Sequence, residues 1–123
     1  MALLTNIALK IASLPISRLW IGVMFTHFSS HLPLDYLKEN ASLVAFRHPR
    51  PAYPTHILLV PKKAIANLES LTAEDSLFMI ELFQCVQELV SEFNLTEKGY
   101  RLIVNGGKYQ EIQQLHFHLI SEG

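Results

Sequence analysis

"SLVAFRHPRPAYPTHILLVP", residues Ser42 to Pro61, decides how this chain folds, because two apolar runs stand on either side of a proline-dense connection. The first run mixes β-branched and aromatic residues, which suit a pleated, half-buried surface. "PRPAYP" disfavours helix and fits a turn or a connection at a sheet edge. "THILLVP" then reads as a buried strand, closed by Pro61 and the paired cations Lys62 and Lys63.

Downstream, Thr72 with Asp75 three residues later has the form of a capping box that opens a helix. Met79, Phe83, Val86, Val90 and Phe93 recur at helical spacing, so the helix is expected to run to about Asn94 with that stripe in the core. "GYRLIVN" supplies a third strand, "GGKYQEIQ" a turn or loop, and "QLHFHLIS" a fourth strand. No internal repeat, low-complexity tract or linker interrupts this order. The expectation is one α+β domain over residues 40–123, with several strands flanking one long helix.

The bounds are those of a single small domain. With 123 residues, half of them hydrophobic, the chain can bury roughly 65% of its unfolded surface. Ten Lys and Arg against eleven Asp and Glu leave a net charge of -1, so no global positive field gathers nucleic acid or an acidic membrane. An anionic ligand must be held by a local site. The single cysteine, Cys85, lies in an apolar-periodic stretch where a small buried hydrophobe is expected. A reducing, cytoplasmic setting is the expectation.

Residues 1–39 form a separate N-terminal region, expected to be a helical extension. "MALLTNIALKIASLPISRLWIGVMF" is apolar, but Lys10, Pro15 and Arg18 break it well short of the ~20 residues a membrane span needs. No basic segment precedes Leu3 and Leu4, so a cleaved signal peptide fits poorly. Two readings stay open. The segment forms two short helices broken near Pro15 that pack on the domain or on a partner subunit, or residues 1–30 lie on a membrane surface with Trp20 and Phe25 inward.

Near the end of the chain, His116 and His118 sit two apart in an apolar run. In a strand they share one face with Gln114, while Leu115, Phe117 and Leu119 take the other. One face is core-like and the other presents Gln-His-His. Three readings follow: a chemical site, a solvated polar face, or zinc held by the two imidazoles and His56 from a neighbouring strand. No cysteine or carboxylate has ligand spacing beside them, so no metal is assigned.

The order of these blocks resembles the histidine-triad, or HIT, superfamily of nucleotide hydrolases and transferases. That family carries His-φ-His-φ-His-φ-φ, φ being apolar, near the end of its domain; here the run is Gln114-Leu-His116-Phe-His118-Leu-Ile120. "LVAFRHPRPAYPTHILLVPKKAI" is similar to the family's first block, and "GYRLIVNGG" followed by Gln110 to the segment leading into the triad. The resemblance covers about residues 40–121 and implies an antiparallel sheet with one long helix.

By that resemblance His116 is the nucleophile that attacks the α-phosphorus of a nucleotide, giving a nucleotidyl-histidine intermediate. Neutral imidazole suits that role, since one ring nitrogen can attack while the other is held by an acceptor. The acceptor implied is a backbone carbonyl at the first triad position or a neighbour. His118 would hydrogen-bond the phosphate oxygens, and His56 would complete the catalytic network. Asn105, Gln110, Gln114, His48 and Gly107 are implied on the nucleotide side, with Gly106 and Gly107 letting backbone amides approach an anion. No cofactor is implied, and a homodimer joined sheet to sheet is.

Three departures stand beside the matches. Gln114 occupies the position of the first triad histidine, and Ala64 that of a further histidine after Pro-Lys-Lys. His48 stands where many members carry an acid that grips ribose hydroxyls, and imidazole lacks the two acceptor oxygens of a carboxylate. The reading is therefore a divergent nucleotide phosphohydrolase or nucleotidyl transferase. The alternative is a non-catalytic nucleotide-binding module whose N-terminal helices contact a partner or membrane surface.

Overall fold

The proline-rich connection does what its composition demands: it lets two apolar runs fold back on each other as antiparallel strands. In the computed structural model, which describes residues 34–123, these are β2 (Leu43–Arg47) and β3 (Thr55–Pro61). They pair Phe46 with Leu58 and Ala45 with Leu59. The other elements are β1 (Tyr36–Glu39), the long helix α1 (Ser76–Glu92), a one-turn helix α2 (Leu95–Lys98), β4 (Arg101–Val104) and β5 (Phe117–Ser121). The five strands form one sheet in the order β1-β2-β3-β5-β4, antiparallel at every pairing. This is the α+β architecture the sequence implies.

Strand alternation divides the side chains between two faces. Leu43, Ala45, Ile57, Leu59, Phe117 and Leu119 point toward α1 and meet Phe78, Leu82, Cys85, Val86 and Leu89. On the opposite face Val44, Phe46, Leu58 and Val60 form a smaller cluster with Leu34, Tyr36 and Ile112 packed on it. Every residue of β3 is buried because the strand is central and covered on both sides, which explains its unbroken apolar run.

The helix begins where the capping signal placed it. Thr72 Oγ1 accepts from the Glu74 N–H at 3.2 Å, and Asp75 Oδ2 accepts from the Thr72 N–H at 3.0 Å, opening a 3-10 turn (Ala73–Asp75) that runs into α1. Lys63 Nζ donates to Asp75 Oδ1 at 2.9 Å and, as the main cause, holds that carboxyl below its usual range. At the far end Asn94 adopts φ 55, a left-handed conformation that asparagine tolerates better than most residues. Gly99, at φ 83, then turns the chain into β4.

Three expectations change. Tyr36–Glu39, assigned on sequence to the extension, form β1 and pair with β2, so the sheet begins before residue 40. The buried stripe of α1 is Phe78, Leu82, Cys85, Val86 and Leu89; Phe83 is 56% exposed, while Met79, Val90 and Phe93 are only partly buried against the core. The last strand begins at Phe117 instead of Gln114, because Gln114 and Leu115 are anchored to another segment. The helices expected before residue 34, and the membrane contact expected of residues 1–30, lie outside the described residues.

Candidate active site

Four imidazoles gather on the face of the sheet turned away from α1. His56 and His118 come from β3 and β5, which register Leu58 opposite His118. His116 immediately precedes β5, and His48 follows β2, with its N–H donating to the His56 carbonyl at 2.8 Å. Ring centroids lie 4.3 Å apart for His48 and His56, 5.2 Å for His56 and His118, and 5.1 Å for His116 and His118. The sequence-predicted histidines are thus brought together, three of them from separate segments.

Their hydrogen bonds fix which nitrogens carry protons. The Ala52 N–H, in the proline-rich connection, donates to His56 Nδ1 at 3.1 Å. A neutral His56 must then carry its proton on Nε2, which faces His118 Nδ1 at 2.9 Å and donates to it. His118 is left with its proton on Nε2, and that buried donor meets no partner among the described residues. His116 follows the opposite pattern. Its Nδ1 lies 2.7 Å from the Gln114 carbonyl, which can only accept, so Nδ1 carries the proton and Nε2 keeps a free lone pair. One imidazole therefore offers a lone pair, and its neighbour offers an N–H.

The site keeps these rings neutral. Burial pushes His118 down to about 4, and nearby His116, His56 and His48 add to the effect. His48 falls to about 4 for the same leading reason, with His56, His116 and Arg50 contributing. Burial also lowers His56 and His116, although the Gln114 carbonyl partly offsets it for His116. Since each ring titrates below its ordinary value, all four are neutral near pH 7.

The HIT domain family model matches residues 30–123 of this chain. The chain belongs to the HIT family. A HIT-like protein of Synechococcus elongatus is 38% identical over 91 residues, 72% of this chain and 79% of that protein. The purine nucleoside phosphoramidase of Escherichia coli K12 is 30% identical over 91 residues, 72% of this chain and 76% of the enzyme. Among solved structures, a HIT family hydrolase from Legionella pneumophila superposes with a TM-score of 0.73 at 30% identity, over 82% of this chain and 92% of that one.

The remaining candidates divide by what their side chains touch. In this HIT domain Gln110 Nε2 donates to the Ala66 carbonyl at 2.7 Å and the Ile112 carbonyl at 3.0 Å. Gln114 is 1% exposed, with Nε2 donating to the Lys63 carbonyl at 3.0 Å. Both amides are engaged by backbone. His48 Nδ1 accepts from the Arg50 N–H at 2.9 Å, which leaves its proton on Nε2. Asn105 follows β4 directly, and Gly107 takes φ 57 at the start of a 3-10 turn. Lys62 and Lys63 hold Glu39 and Asp75, in keeping with a strand-end role.

Among the described residues no group of three or more His, Cys, Asp or Glu is arranged to hold a metal ion. The nitrogens of His56 and His118 that a zinc site would use face each other instead. Nor is any helix among the described residues long and apolar enough to cross a membrane. Ala52 is the contributor that the sequence reading did not find. Its backbone N–H sets the tautomer of His56, and only the proline spacing around it hints at a chain forced to turn there.

Proposed function

We propose that this HIT domain cleaves phosphoanhydride or phosphoramidate bonds of nucleotides at the α-phosphorus, through a nucleotidyl-histidine intermediate on His116. The observation that carries the reading is the pairing of a lone pair on His116 Nε2 with the unpartnered N–H on His118 Nε2. Similarity to a purine nucleoside phosphoramidase supports the phosphoramidate bond as a substrate class.

In the first step His116 Nε2 forms a bond to phosphorus as the bond to the leaving oxygen or nitrogen breaks, and the leaving group departs with the bonding pair and takes up a proton from solvent water. The ring becomes cationic, and its Nδ1–H stays on the Gln114 carbonyl, whose dipole favours that charge. His118 Nε2–H donates to a non-bridging phosphate oxygen where negative charge develops. His56 acts through His118, holding the tautomer that makes the donation available. Water or another acceptor then attacks phosphorus and gives up its proton to solvent, the N–P bond breaks with its pair returning to Nε2, and neutral His116 is restored. His48, Asn105, Gln110, Gln114 and Gly107 belong to the nucleotide side of the same reading, Gln110 and Gln114 through the backbone they hold. A cytoplasmic homodimer joined sheet to sheet is part of the proposal.

Intact-protein mass spectrometry tests it, after a rapid acid-free quench with nucleoside phosphoramidates and dinucleoside polyphosphates. A nucleotidyl adduct on the wild type that is absent from His116→Ala is the expected result. No adduct and no turnover, with ligand-dependent thermal stabilisation, would replace the enzyme by a non-catalytic nucleotide-binding module.

A further inference from the structure

The nucleophile's proton is placed by a backbone carbonyl, and a carbonyl is only as well placed as the segment that bears it. Residues 110–116 lie outside regular strand or helix apart from the end of one turn, so their position depends on what they are tied to. Two glutamines and one backbone bond tie them to a single short stretch. Gln110 Nε2 reaches the Ala66 carbonyl at 2.7 Å, the Leu115 N–H reaches the Ile65 carbonyl at 2.7 Å, and Gln114 Nε2 reaches the Lys63 carbonyl at 3.0 Å and that of Pro61 at 3.5 Å.

Gln114 is the member of this clamp next to the chemistry. Its side chain is almost fully buried, and its Oε1 has no partner among the described residues. Since the facing carbonyls can only accept, the amide must turn its N–H groups toward them and leave its own oxygen unpaired, which is unfavourable in a buried position. An apolar side chain of the same length would avoid that cost but would take the donor away from the Lys63 carbonyl. An amide is therefore expected here only if its donors do something that packing cannot, and what they hold is the residue whose own carbonyl receives His116 Nδ1–H.

We propose that Gln114 is a positioning residue: its side-chain amide fastens its own backbone to Pro61 and Lys63, so that its carbonyl fixes His116 in the single tautomer that leaves Nε2 unprotonated. Gln110 supports the same segment four residues upstream. The inference deepens the proposed function and rests on His116 as the attacking group, but the state of the ring can be read without any substrate.

Gln114→Met tests it, because methionine keeps the length and buried volume while removing both donors and the unpaired acceptor. Two-bond 1H–15N correlation spectra of the imidazoles at pH 8 distinguish the two neutral tautomers directly. Wild type is expected to show His116 wholly as the Nδ1–H form. In folded Gln114→Met, His116 is expected to show a mixture of both forms, together with a lowered melting temperature because the Lys63 carbonyl loses its donor. Gln114→Asn, which keeps an amide but shortens its reach by one methylene, is expected to move the same way and replaces the methionine variant if that one fails to fold. A folded variant of either kind whose His116 ring stays wholly in the wild-type tautomer overturns the proposal. Failure to find a nucleotidyl adduct leaves this readout untouched, so the two ideas fail separately.

Discussion

The two faces of the central strands use the same backbone for opposite ends. Along β3, Ile57 and Leu59 face α1 and are fully buried, whereas His56 and Leu58 face the other way, and along β5 Phe117 and Leu119 alternate with His118 in the same manner. On the helix side the contacts are apolar, and their value is set by volume and area. On the other side an apolar patch gives way to four imidazoles, whose value is set by which nitrogen holds a proton. A one-residue step along a strand thus passes from residues that hold the fold to residues of the candidate site. Rigid packing on one face is what keeps ring nitrogens on the other within hydrogen-bond distance.

Substitutions that respect this division should separate stability from turnover. The largest effect is expected of His116→Ala, which should lower kcat on the order of 10⁴-fold or more, as removal of a nucleophile does, while the melting temperature changes little. A folded variant with full activity would refute the nucleophile assignment. On the opposite face Leu59→Ala should destabilise by about 2–5 kcal/mol, because the side chain is completely buried between sheet and helix. Urea unfolding measures it, and the comparison breaks if Leu59→Ala folds as stably as the wild type.

A third test uses protons. His48 and His118 titrate near 4 in the folded state against an ordinary value of 6.5, so between those values the unfolded chain binds protons that the folded one does not. Their stabilising contribution is present above pH 6.5 and is lost as pH falls toward 4. Unfolding free energy should therefore decline across that window. His48→Asn should flatten the decline by at most about 1.4 kcal/mol per pH unit, the limit for one proton, whereas Leu59→Ala should lower the whole curve without changing its slope. Equal slopes in wild type and His48→Asn would show that this ring titrates normally.

How much of this was legible in the sequence follows from the range of each interaction. β2, β3, β4 and the alternation of His116 with Phe117 and His118 could be read from local pattern, and so could the Thr72 cap, because each depends on residues within a few positions. β1 escaped notice because "YLKE" is four residues long, half charged, and stabilised by pairing with β2 more than by its own propensity. The tautomer chain and the glutamine clamp were out of reach for a different reason. Their partners lie far apart along the chain, as with Gln110 and Ala66 or His56 and His118, and a side-chain amide carries no sign of which carbonyl it will meet.

The phase of the helix is the remaining miss, and it supplies the smallest prediction. "SLFMIELFQCVQELVSE" has apolar residues on more than one side, so the periodicity fixes a helix without fixing which side is inward. The stripe expected at 79, 83, 86, 90 and 93 is turned by about 100°, one residue, from the buried positions 78, 82, 85 and 89, and the two share only Val86. Neighbours in sequence should then respond very differently to the same change. Leu82, 1% exposed, should cost about 2–5 kcal/mol as Leu82→Ala, while Phe83, 56% exposed, should stay within about 0.5 kcal/mol as Phe83→Ala despite losing the larger side chain. Urea titration of the two variants side by side measures the difference. If Phe83→Ala proves as costly as Leu82→Ala, the outer side of α1 is covered in the folded protein, and the contrast between its inner and outer residues fails.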